Sequence, residues 1–385
     1  MLLYTLFKIM NIGIVCYPTF GGSGVLATEL GLALANKGYK VHFITYQAPV
    51  RLPSFHANIF YQEVRVPTYP LFDYPPYESA LASTMVDVIV NQNLHLLHVH
   101  YAIPHASAAY MAQQICAERG IKIPFITTLH GTDITLVGRD KMYEPVVTFS
   151  MNKSNAITAV SHNLKEETLS NFAVTKPIDV IHNFVDAGRF KKKPIDAFKN
   201  AIAPNGEKIL LHASNFRKIK RVEDVIKIFV EVRKKIPAKL MLAGDGPERN
   251  GAEILCRELG YCDDIRFVGK QDQIEALYSI SDLFLLTSEY ESFGLSALEA
   301  MAAEVPVVST NVGGLPEINI QGVTGFMRPV GDVAGMAQDA LYILSNDDIL
   351  KQFKANAFKQ AMAFTIDAII PKYETLYEKV IADFK

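Results

Sequence analysis

The sequence predicts an α/β protein built as two Rossmann-like, doubly wound domains that face a cleft. Short apolar runs of strand length alternate with segments of helical periodicity, and this alternation starts again after residue 190. Continuous apolar runs are typical of parallel strands that helices cover on both faces. The predicted strands of the first half cover residues 11–17, 41–45, 94–100, 125–129, 156–160 and 180–182. Those of the second half cover residues 209–212, 239–243, 265–268, 283–287 and 305–309.

A charged stretch that ends in proline, residues 186–194, separates the two sets of strands and is interpreted as the linker. We therefore expect an N-terminal domain over residues 10–188 and a C-terminal domain over residues 189–364. An amphipathic helix over residues 365–385 is expected to return to the first domain and brace it. Residues 1–9 are interpreted as an extension without a role.

The composition argues against several classes of protein. With 38 Lys and Arg against 40 Asp and Glu, the chain lacks the basic excess of a nucleic-acid-binding protein. The first twenty residues are mostly apolar, but Lys8 and Asn11 interrupt them and no basic segment precedes them, so no membrane anchor is predicted. The four cysteines form no Cys-x-x-Cys pair and no disulfide-dense pattern, which indicates a reducing cytosol and argues against structural zinc.

The most informative motif lies in the C-terminal half, where Glu291 and Glu299 flank a Ser-Phe-Gly step. A strand-like run precedes this step and helical apolar spacing follows it, so the step aims free N–H groups and the positive end of a helix dipole at a ligand. Glu291 is expected before the helix and Glu299 about two turns into it. A sugar nucleotide, with hydroxyls at both ends and negative charge between them, suits this layout. The alternative is a capping acid and a surface helix residue.

A glycine-rich turn, residues 21–24, follows the first strand and opens a helix. A dinucleotide-binding turn requires Gly-x-Gly-x-x-Gly spacing and an acidic residue at the end of the next strand. The chain has Gly-Gly-Ser-Gly instead, residues 41–47 contain no acid, and no Walker A lysine is present. We interpret the turn as a loop that faces a phosphate or an acceptor.

Two basic side chains, Arg217 and Lys220, lie three positions apart at the start of a predicted helix. They can converge on one anion, the guanidinium through paired hydrogen bonds and the ammonium as a point charge. A diphosphate fits this pair, and a solvated basic patch is the alternative. Glycine turns at residues 244–247 and 269–270 would lie at the same carboxyl edge of the sheet, where open α/β sheets bind ligands.

Among the histidines on or directly after predicted strands of the first half, His98, His100 and His130 are the ones considered as site residues. His130 follows a strand and should face the cleft, although a single histidine in such a place is often a structural hydrogen-bonding residue. His98 and His100 alternate along another strand and therefore point to one face, which raises the question of a metal. No third ligand is apparent, and no metal site is predicted.

The Glu-x7-Glu motif, the Arg-x-x-Lys pair and the Gly-Asp-Gly-Pro turn occur in the order found in one known family. The chain resembles the retaining glycosyltransferases of the two-Rossmann-domain (GT-B) type, which include sucrose and glycogen synthases. The resemblance covers nearly all of residues 10–385. It implies transfer of a sugar with retained anomeric configuration, without a cofactor or a metal, in which the leaving phosphate accepts the proton of the acceptor.

Residues 16–24, 98–105, 129–135 and 214–218 are similar to the bacillithiol-pathway branch of this family. This similarity implies UDP-N-acetylglucosamine as donor, L-malate as acceptor, and the first step of bacillithiol biosynthesis in the cytoplasm. The same resemblance makes the C-terminal domain the sugar-nucleotide side and the N-terminal domain the acceptor side. A lipid or glycan acceptor, a UDP-sugar epimerase or a UDP-sugar sensor are the alternatives, and a homo-oligomer stays open.

The resemblance also implies a catalytic set of four residues. Arg217 and Lys220 would neutralise the departing diphosphate. Glu291 would bind the donor sugar, and His130 would touch its 6-hydroxyl.

Further residues are implied to bind the two substrates. Glu299 would bind the ribose hydroxyls, while Ser23 and Tyr101 would face the acceptor. The other donor-binding residues are expected to be Gly22, Asn215, Gly246, Lys270, Phe293, Gly294 and Leu295. The candidates for the cation that binds the malate carboxylates are Arg65, Arg139 and Lys141.

Overall fold

The chain forms two compact units. The first runs to His182 and includes the residues from Ile369 onward, and the second is Asn183–Ala368. The boundary thus falls at His182 and Asn183, where the sequence suggested residues 188 and 189. The predicted extension, residues 1–9, lies outside the described residues. The computed structural model describes residues 10–19, 21–66, 73–136 and 140–384.

The first unit contains a seven-stranded sheet whose neighbouring strands all pair in parallel. Their order is β3-β2-β1-β4-β5-β6-β7, so the chain reverses its direction across the sheet between β1 and β4. This reversal is the topological switch point of a doubly wound sheet. The strands are β1 Asn11–Val15, β2 Lys40–Thr45, β3 Ile59–Glu63, β4 Leu96–His100, β5 Phe125–Leu129, β6 Ala156–Ala159 and β7 Ile178–Val180.

Helices connect these strands and bury their apolar residues against the sheet. In the core of this unit, Met85 and Val88 of one helix and Ala112 of the next pack with strand residues such as Leu97. Irregular turns, Ala102–Ala106 and Thr132–Leu136, follow β4 and β5. The helices are α1 Gly22–Asn36, α2 Tyr77–Gln92, α3 Ser107–Glu118, α4 Glu144–Lys153 and α5 His162–Asn171.

The second unit contains a six-stranded sheet, also parallel throughout. The strand order is β10-β9-β8-β11-β12-β13, which places the switch point between β8 and β11. The strands are β8 Lys208–Ser214, β9 Ala238–Gly244, β10 Ile265–Gly269, β11 Leu283–Leu286, β12 Val307–Thr310 and β13 Gly325–Arg328.

The helices of the second unit follow the apolar spacing of the sequence. In the helix after β8, Val222, Val225, Ile226 and Phe229 recur at helical spacing, and all are buried in the core. Short 3₁₀ turns lie at Lys218–Lys220, Cys262–Asp264 and Met362–Phe364. The helices are α6 Ala187–Phe190, α7 Asp196–Ile202, α8 Val222–Arg233, α9 Arg249–Leu259, α10 Ile274–Ile280, α11 Leu295–Ala302, α12 Leu315–Ile318, α13 Val333–Leu344 and α14 Asp347–Ala361.

The last helix, α15 (Ile366–Asp383), joins the first unit through polar contacts. The Tyr377 hydroxyl lies 2.7 Å from Nδ1 of His98, and Glu374 accepts hydrogen bonds from Lys37 at 2.5 Å and Tyr39 at 3.1 Å. The helix is amphipathic. Across the described part of the chain, no helix has both the length and the apolar character that crossing a bilayer requires.

The predicted fold class, two Rossmann-like parallel sheets, is confirmed. Two edge strands, β3 and β13, escaped the prediction because their residues are largely exposed or half-buried and lack a continuous apolar run. The strand predicted at 180–182 lies slightly earlier, as β7. Within the stretch interpreted as a linker, α6 forms and buries Phe190 against Tyr278, with ring centroids 5.9 Å apart.

Two of the four cysteines, one in α9 and one after it, lie close together. The sequence has no disulfide-dense pattern, and the structure pairs Cys256 and Cys262 as a disulfide. The chain turns back after α9, which brings the Cα atoms of the two residues to 5.3 Å. Cys16 and Cys116 are buried thiols, and burial raises the pKa of Cys16 to about 12.

Candidate functional site

In the second unit, the motifs singled out in the sequence lie at the switch point of the sheet. The loop after β8 carries Arg217 and Lys220, and the loop after β11 carries Glu291. Because β8 and β11 are neighbours and parallel, both loops leave the same edge of the sheet. The structure therefore brings together two motifs that are far apart in the sequence.

An ion pair joins these two loops. The Lys220 ammonium donates to Oε1 of Glu291 at 2.5 Å, and the Ser288 hydroxyl donates to the same oxygen at 2.7 Å. The two charged side chains keep only 18% and 13% of their surface exposed, so solvent screens the pair weakly. The Thr287 hydroxyl also donates to the Lys220 carbonyl at 3.0 Å, which ties the backbones together. The Glu291 carboxylate thus holds Lys220 in place at the switch point of the sheet.

Arg217 differs from Lys220 and Arg221 of the same loop. Its side chain is exposed and makes no hydrogen bond or ion pair with any described residue. Arg221, by contrast, is engaged with Asp224 at 2.7 Å and Glu289 at 2.9 Å. Arg217 is therefore the guanidinium of this loop that can accept an anion without first breaking an ion pair.

Glu299 is buried rather than on the surface, with 9% of its area exposed. It is the fifth residue of α11, which begins at Leu295, so it lies about one turn into the helix. The expectation of two turns was wrong, because the step from Leu295 to Glu299 is close to a single turn of about 3.6 residues. The buried Tyr278 hydroxyl donates to Oε2 of Glu299 at 3.1 Å. Tyr278 was not predicted as a site residue, since it lies on α10 in no recognisable motif.

The backbone before α11 depends on a glycine. Gly294 has φ +95°, a left-handed conformation that side chains rarely adopt, and a Cβ there would clash with Leu315. Phe293 is buried and its ring packs edge-on against Phe364, with centroids 5.9 Å apart. This packing fixes the turn from which Leu295 starts the helix.

Gly246 brings the loop after β9 against the loop after β8. A Cβ at Gly246 would lie 2.7 Å from the carbonyl oxygen of Asn215 and 2.8 Å from that of Phe216, so a side chain would force the loops apart. Asn215 is exposed at this edge. Lys270 follows β10, the outer strand, and its exposed side chain makes no contact with the other predicted site residues that the structure describes.

In the first unit, the two predicted acceptor residues also meet at a switch point. Ser23 lies in the first turn of α1, after β1, and Tyr101 follows β4. The Ser23 and Tyr101 hydroxyls lie 2.5 Å apart. Gly22 is exposed in the same turn of α1. Tyr101 has φ +89°, and its ring packs edge-on against Tyr17 at 5.2 Å.

His130 belongs to a buried group of histidines whose contacts with one another were not predicted from the sequence. Its Nε2 lies 2.8 Å from Nδ1 of His100, and the rings stack at 5.0 Å. Nδ1 of His105 donates to the carbonyl oxygen of His100. Burial lowers the pKa of His98 and of His130 to about 3 and that of His105 to about 4, so all three are neutral at pH 7.

Asp133 is a buried carboxylate within the motif at residues 129–135, and no role was predicted for it. Its oxygens accept hydrogen bonds from the backbone N–H groups of Ala102 at 2.9 Å and Gly131 at 3.2 Å. Burial raises the pKa of Asp133 to about 6, although these backbone hydrogen bonds lower it. Asp133 therefore fastens the loop after β4 to the loop after β5, beside Tyr101 and His130.

Two of the three candidate carboxylate-binding cations, Arg65 and Lys141, lie in the described part of the first unit. Arg65 is largely exposed and pairs with Glu63 at 3.0 Å. Lys141 is exposed, and its side chain makes no hydrogen bond or ion pair with a described residue. Arg139 lies outside the described residues.

Comparison with known proteins agrees with this geometry. Residues 20–189 match the model of Glycosyltransferase Family 4, and residues 194–360 match that of Glycosyl transferases group 1. The chain is 44% identical over 378 residues to the N-acetyl-alpha-D-glucosaminyl L-malate synthase of Bacillus anthracis, covering 98% of both chains.

Two solved structures share the fold. The Anabaena protein HepE in complex with UDP-glucose matches with a TM-score of 0.80 and 19% identity, over 96% of this chain and all of that one. Sucrose-phosphate synthase from Thermosynechococcus elongatus matches with a TM-score of 0.79 and 21% identity, over 97% of this chain and all of that one. The chain therefore belongs to the glycosyltransferases in which a Family 4 domain precedes a group 1 domain.

Proposed function

We propose that the protein transfers N-acetylglucosamine from UDP-N-acetylglucosamine to the hydroxyl of L-malate, with retention of configuration, in the cytoplasm. The observation that carries this proposal is the 44% identity to the Bacillus anthracis N-acetyl-alpha-D-glucosaminyl L-malate synthase across 98% of both chains. A relationship of this extent includes both units and both candidate sites, not only the shared fold.

The second unit has the chemistry that a sugar nucleotide requires. Glu299 offers a buried carboxylate to the ribose hydroxyls, and a charged acceptor makes strong hydrogen bonds with such donors. The N–H groups at the start of α11 and the positive end of its dipole would face the diphosphate. Asn215, Gly246 and Lys270 lie on the neighbouring loops of the same edge and would complete the nucleotide site.

The catalytic step is a redistribution of charge. The bond between C1 of the sugar and the phosphate oxygen breaks, the bond between C1 and the malate oxygen forms on the same face, and the malate proton passes to the departing phosphate. Negative charge therefore grows on the diphosphate in the transition state. Lys220, already fixed by Glu291, would stabilise that charge without reorganisation, together with Arg217, which pairs with no residue in the described part of the chain.

The first unit would bind the acceptor and the polar face of the donor sugar. Ser23 and Tyr101 present a joined pair of hydroxyls, which can both donate to and accept from a hydroxy acid. His130 keeps the role that the family resemblance implies, a hydrogen bond to the 6-hydroxyl of the sugar.

The test is incubation of the protein with UDP-N-acetylglucosamine and a panel of acceptors, followed by mass identification of the products. L-Malate should accelerate UDP release strongly and give one product that combines both substrates, whereas D-malate and succinate should do so far less. The anomeric configuration of the product, read by proton NMR, should be α. Equal UDP release with and without L-malate, together with transfer to a lipid or a glycan, would contradict the malate assignment.

A further inference from the structure

Four histidines of the first unit, His98, His100, His105 and His130, form what we call the histidine cluster. The rings of His98 and His100 stack at 4.5 Å, and those of His100 and His130 at 5.0 Å. His130 keeps 8% of its surface exposed, against 2% for His100 and none for the other two. His130 is thus the member that a ligand can reach, and the others support it from within.

His105 shows how the cluster places its protons. Its Nδ1 faces the carbonyl oxygen of His100, and a carbonyl only accepts, so the hydrogen of the neutral ring is on Nδ1. Its Nε2 is then a lone pair, buried without a partner among the described residues. The core of this unit therefore tolerates an unpaired imidazole lone pair.

The contact between His100 and His130 allows two arrangements of one hydrogen. If Nδ1 of His100 donates to Nε2 of His130, the buried Nε2 of His100 is an unpaired lone pair, as in His105. If His130 donates instead, Nε2 of His100 must carry a hydrogen, and that N–H is buried with no acceptor among the described residues. Buried donors without an acceptor are rare and unfavourable, so the first arrangement is the stable one.

We propose that His100 is a positioning residue that holds His130 in the tautomer with hydrogen on Nδ1. His130 then presents an N–H donor to its ligand, and the substrate atom that it contacts must be an oxygen that accepts. The inference rests on the proposed function only for the identity of that ligand, a sugar hydroxyl. Burial lowers the pKa of both rings, which keeps each of them neutral at pH 7 and supports a single shared hydrogen.

The experiment is long-range ¹H–¹⁵N correlation NMR of the ligand-free protein labelled on histidine, because protonated and unprotonated ring nitrogens have well-separated ¹⁵N shifts. The His130 signals are identified as those lost in His130→Gln. We expect Nδ1 of His130 to be the protonated nitrogen in the native protein. A protonated Nε2 on His130 would overturn the proposal, whatever the variants do.

Two substitutions at His100 test the cause. His100→Asn keeps an amide N–H close to the position of Nδ1 and should preserve the His130 tautomer, whereas His100→Leu removes the donor and should give the mixture found in water. His42→Leu is the matched control, since His42 is equally buried in the same unit and stacks on Phe60 rather than on the cluster. An unchanged His130 tautomer in a folded His100→Leu protein would contradict the assignment.

The kinetic readout separates this inference from the proposed function. With UDP-N-acetylglucosamine and L-malate, His100→Leu should lower kcat/KM by roughly five- to tenfold, the effect of weakening one hydrogen bond, and His100→Asn should restore most of it. The predicted tautomer without transfer to L-malate would leave the inference standing and refute the malate assignment. Transfer to L-malate by a protein whose His130 carries its hydrogen on Nε2 would support the malate assignment and refute the inference.

Discussion

The two candidate sites occupy the same place in two similar sheets and have opposite chemistry. Each lies at a switch point, β1/β4 in the first unit and β8/β11 in the second. The second is built from charges in contact, led by Lys220 and Glu291. The first is built mainly from hydrogen bonds between neutral side chains, such as those of Ser23 with Tyr101 and of His100 with His130, and Asp133 is the buried carboxylate beside them. The fold thus supplies the position of a site, and the loop residues supply its chemistry.

The difference matches what each half of a transfer reaction requires. A leaving diphosphate gains charge, and fixed ions stabilise that gain well because they need not reorient. The hydroxyls of the sugar and of malate are uncharged, so directional donors and acceptors suit them, while the two malate carboxylates keep their charge throughout the reaction. We therefore expect substitutions in the second unit to affect kcat and UDP affinity, and substitutions in the first to affect the acceptor.

The largest effect is expected for Lys220→Ala. Loss of the fixed ammonium should lower kcat by about 10²–10³, as for other preorganised electrostatic groups. Lys218→Ala is the matched control, because Lys218 belongs to the same 3₁₀ turn but is exposed and pairs with no described residue. The double variant with Arg217→Ala should lose less than the product of the single losses, since both would act on one anion. Full activity of a folded Lys220→Ala protein would place the charged site outside catalysis.

The second effect concerns Glu299. Glu299→Ala should weaken UDP binding about ten- to a hundredfold, because a hydrogen bond to a carboxylate contributes about 1.5–3 kcal/mol. Calorimetry with UDP measures this directly. Glu304→Ala is the control, since Glu304 follows α11 and its side chain is 44% exposed. Unchanged UDP affinity in folded Glu299→Ala would remove the ribose role.

The third prediction separates the units by their response to acid. Burial depresses the pKa of His98 and His130 to about 3 and of His105 to about 4, while unfolded histidine titrates near 6.5. The stabilisation from keeping them neutral is present above pH 6.5 and is lost as the pH falls toward 3–4. Each histidine contributes a slope of about 1.4 kcal/mol per pH unit across that window.

Titratable groups outside the histidine cluster also affect how each unit responds to acid. Asp133 acts in the opposite sense, because its raised pKa of about 6 makes its contribution largest below pH 3.8 and lost as the pH rises through 6. In the second unit, His212 is the one described histidine with a lowered pKa, about 4, again through burial. Burial raises the pKa of Asp282, but the positive charges of Lys354 and Lys199 lower it by more, so this pKa lies below its usual value. The stabilisation that Asp282 contributes to the folded state is therefore lost only below pH 3.8.

Hydrogen exchange followed by mass spectrometry resolves the units separately. Between pH 6.5 and 4.5, after correction for the intrinsic exchange rate, peptides of β4 and β5 should lose more protection than peptides of β8 and β11. Equal loss in both units would show that the histidine cluster does not dominate the acid response of the first unit.

Much of this contrast was predictable from sequence, and the limits have physical causes. The continuous apolar runs of β4, β5, β8 and β11 predicted parallel strands, and motifs that follow such strands must share one edge of a sheet. The strand β3 was not predictable, because four of its five residues are polar or aromatic and none is buried. The remaining features of the two sites depend on strand register and on contacts between elements, which the sequence pattern does not encode.

Two contacts illustrate what strand patterns do not encode. Tyr278 reaches Glu299 because α10 and α11 pack together, although neither the spacing nor the chemistry of the two residues indicates it. His100 lies opposite Thr128 in the pairing of β4 with β5, which leaves His130 just beyond the strand and within reach. The sequence showed a histidine pair on one strand face, and only the register showed that His130 completes it.

The smallest effect is expected for Tyr101→Phe, which deletes one hydroxyl from the neutral site and leaves the ring in place against Tyr17. The KM for L-malate should rise about fivefold, the equivalent of one net hydrogen bond of about 1 kcal/mol, while UDP affinity stays unchanged. Tyr110→Phe on α3 is the control, because its ring packs on Phe149 away from Ser23. If UDP affinity changed by the same factor, a neutral hydroxyl in the first unit would contribute to nucleotide binding as much as to acceptor binding. That result would contradict the division between a charged donor site and a neutral acceptor site.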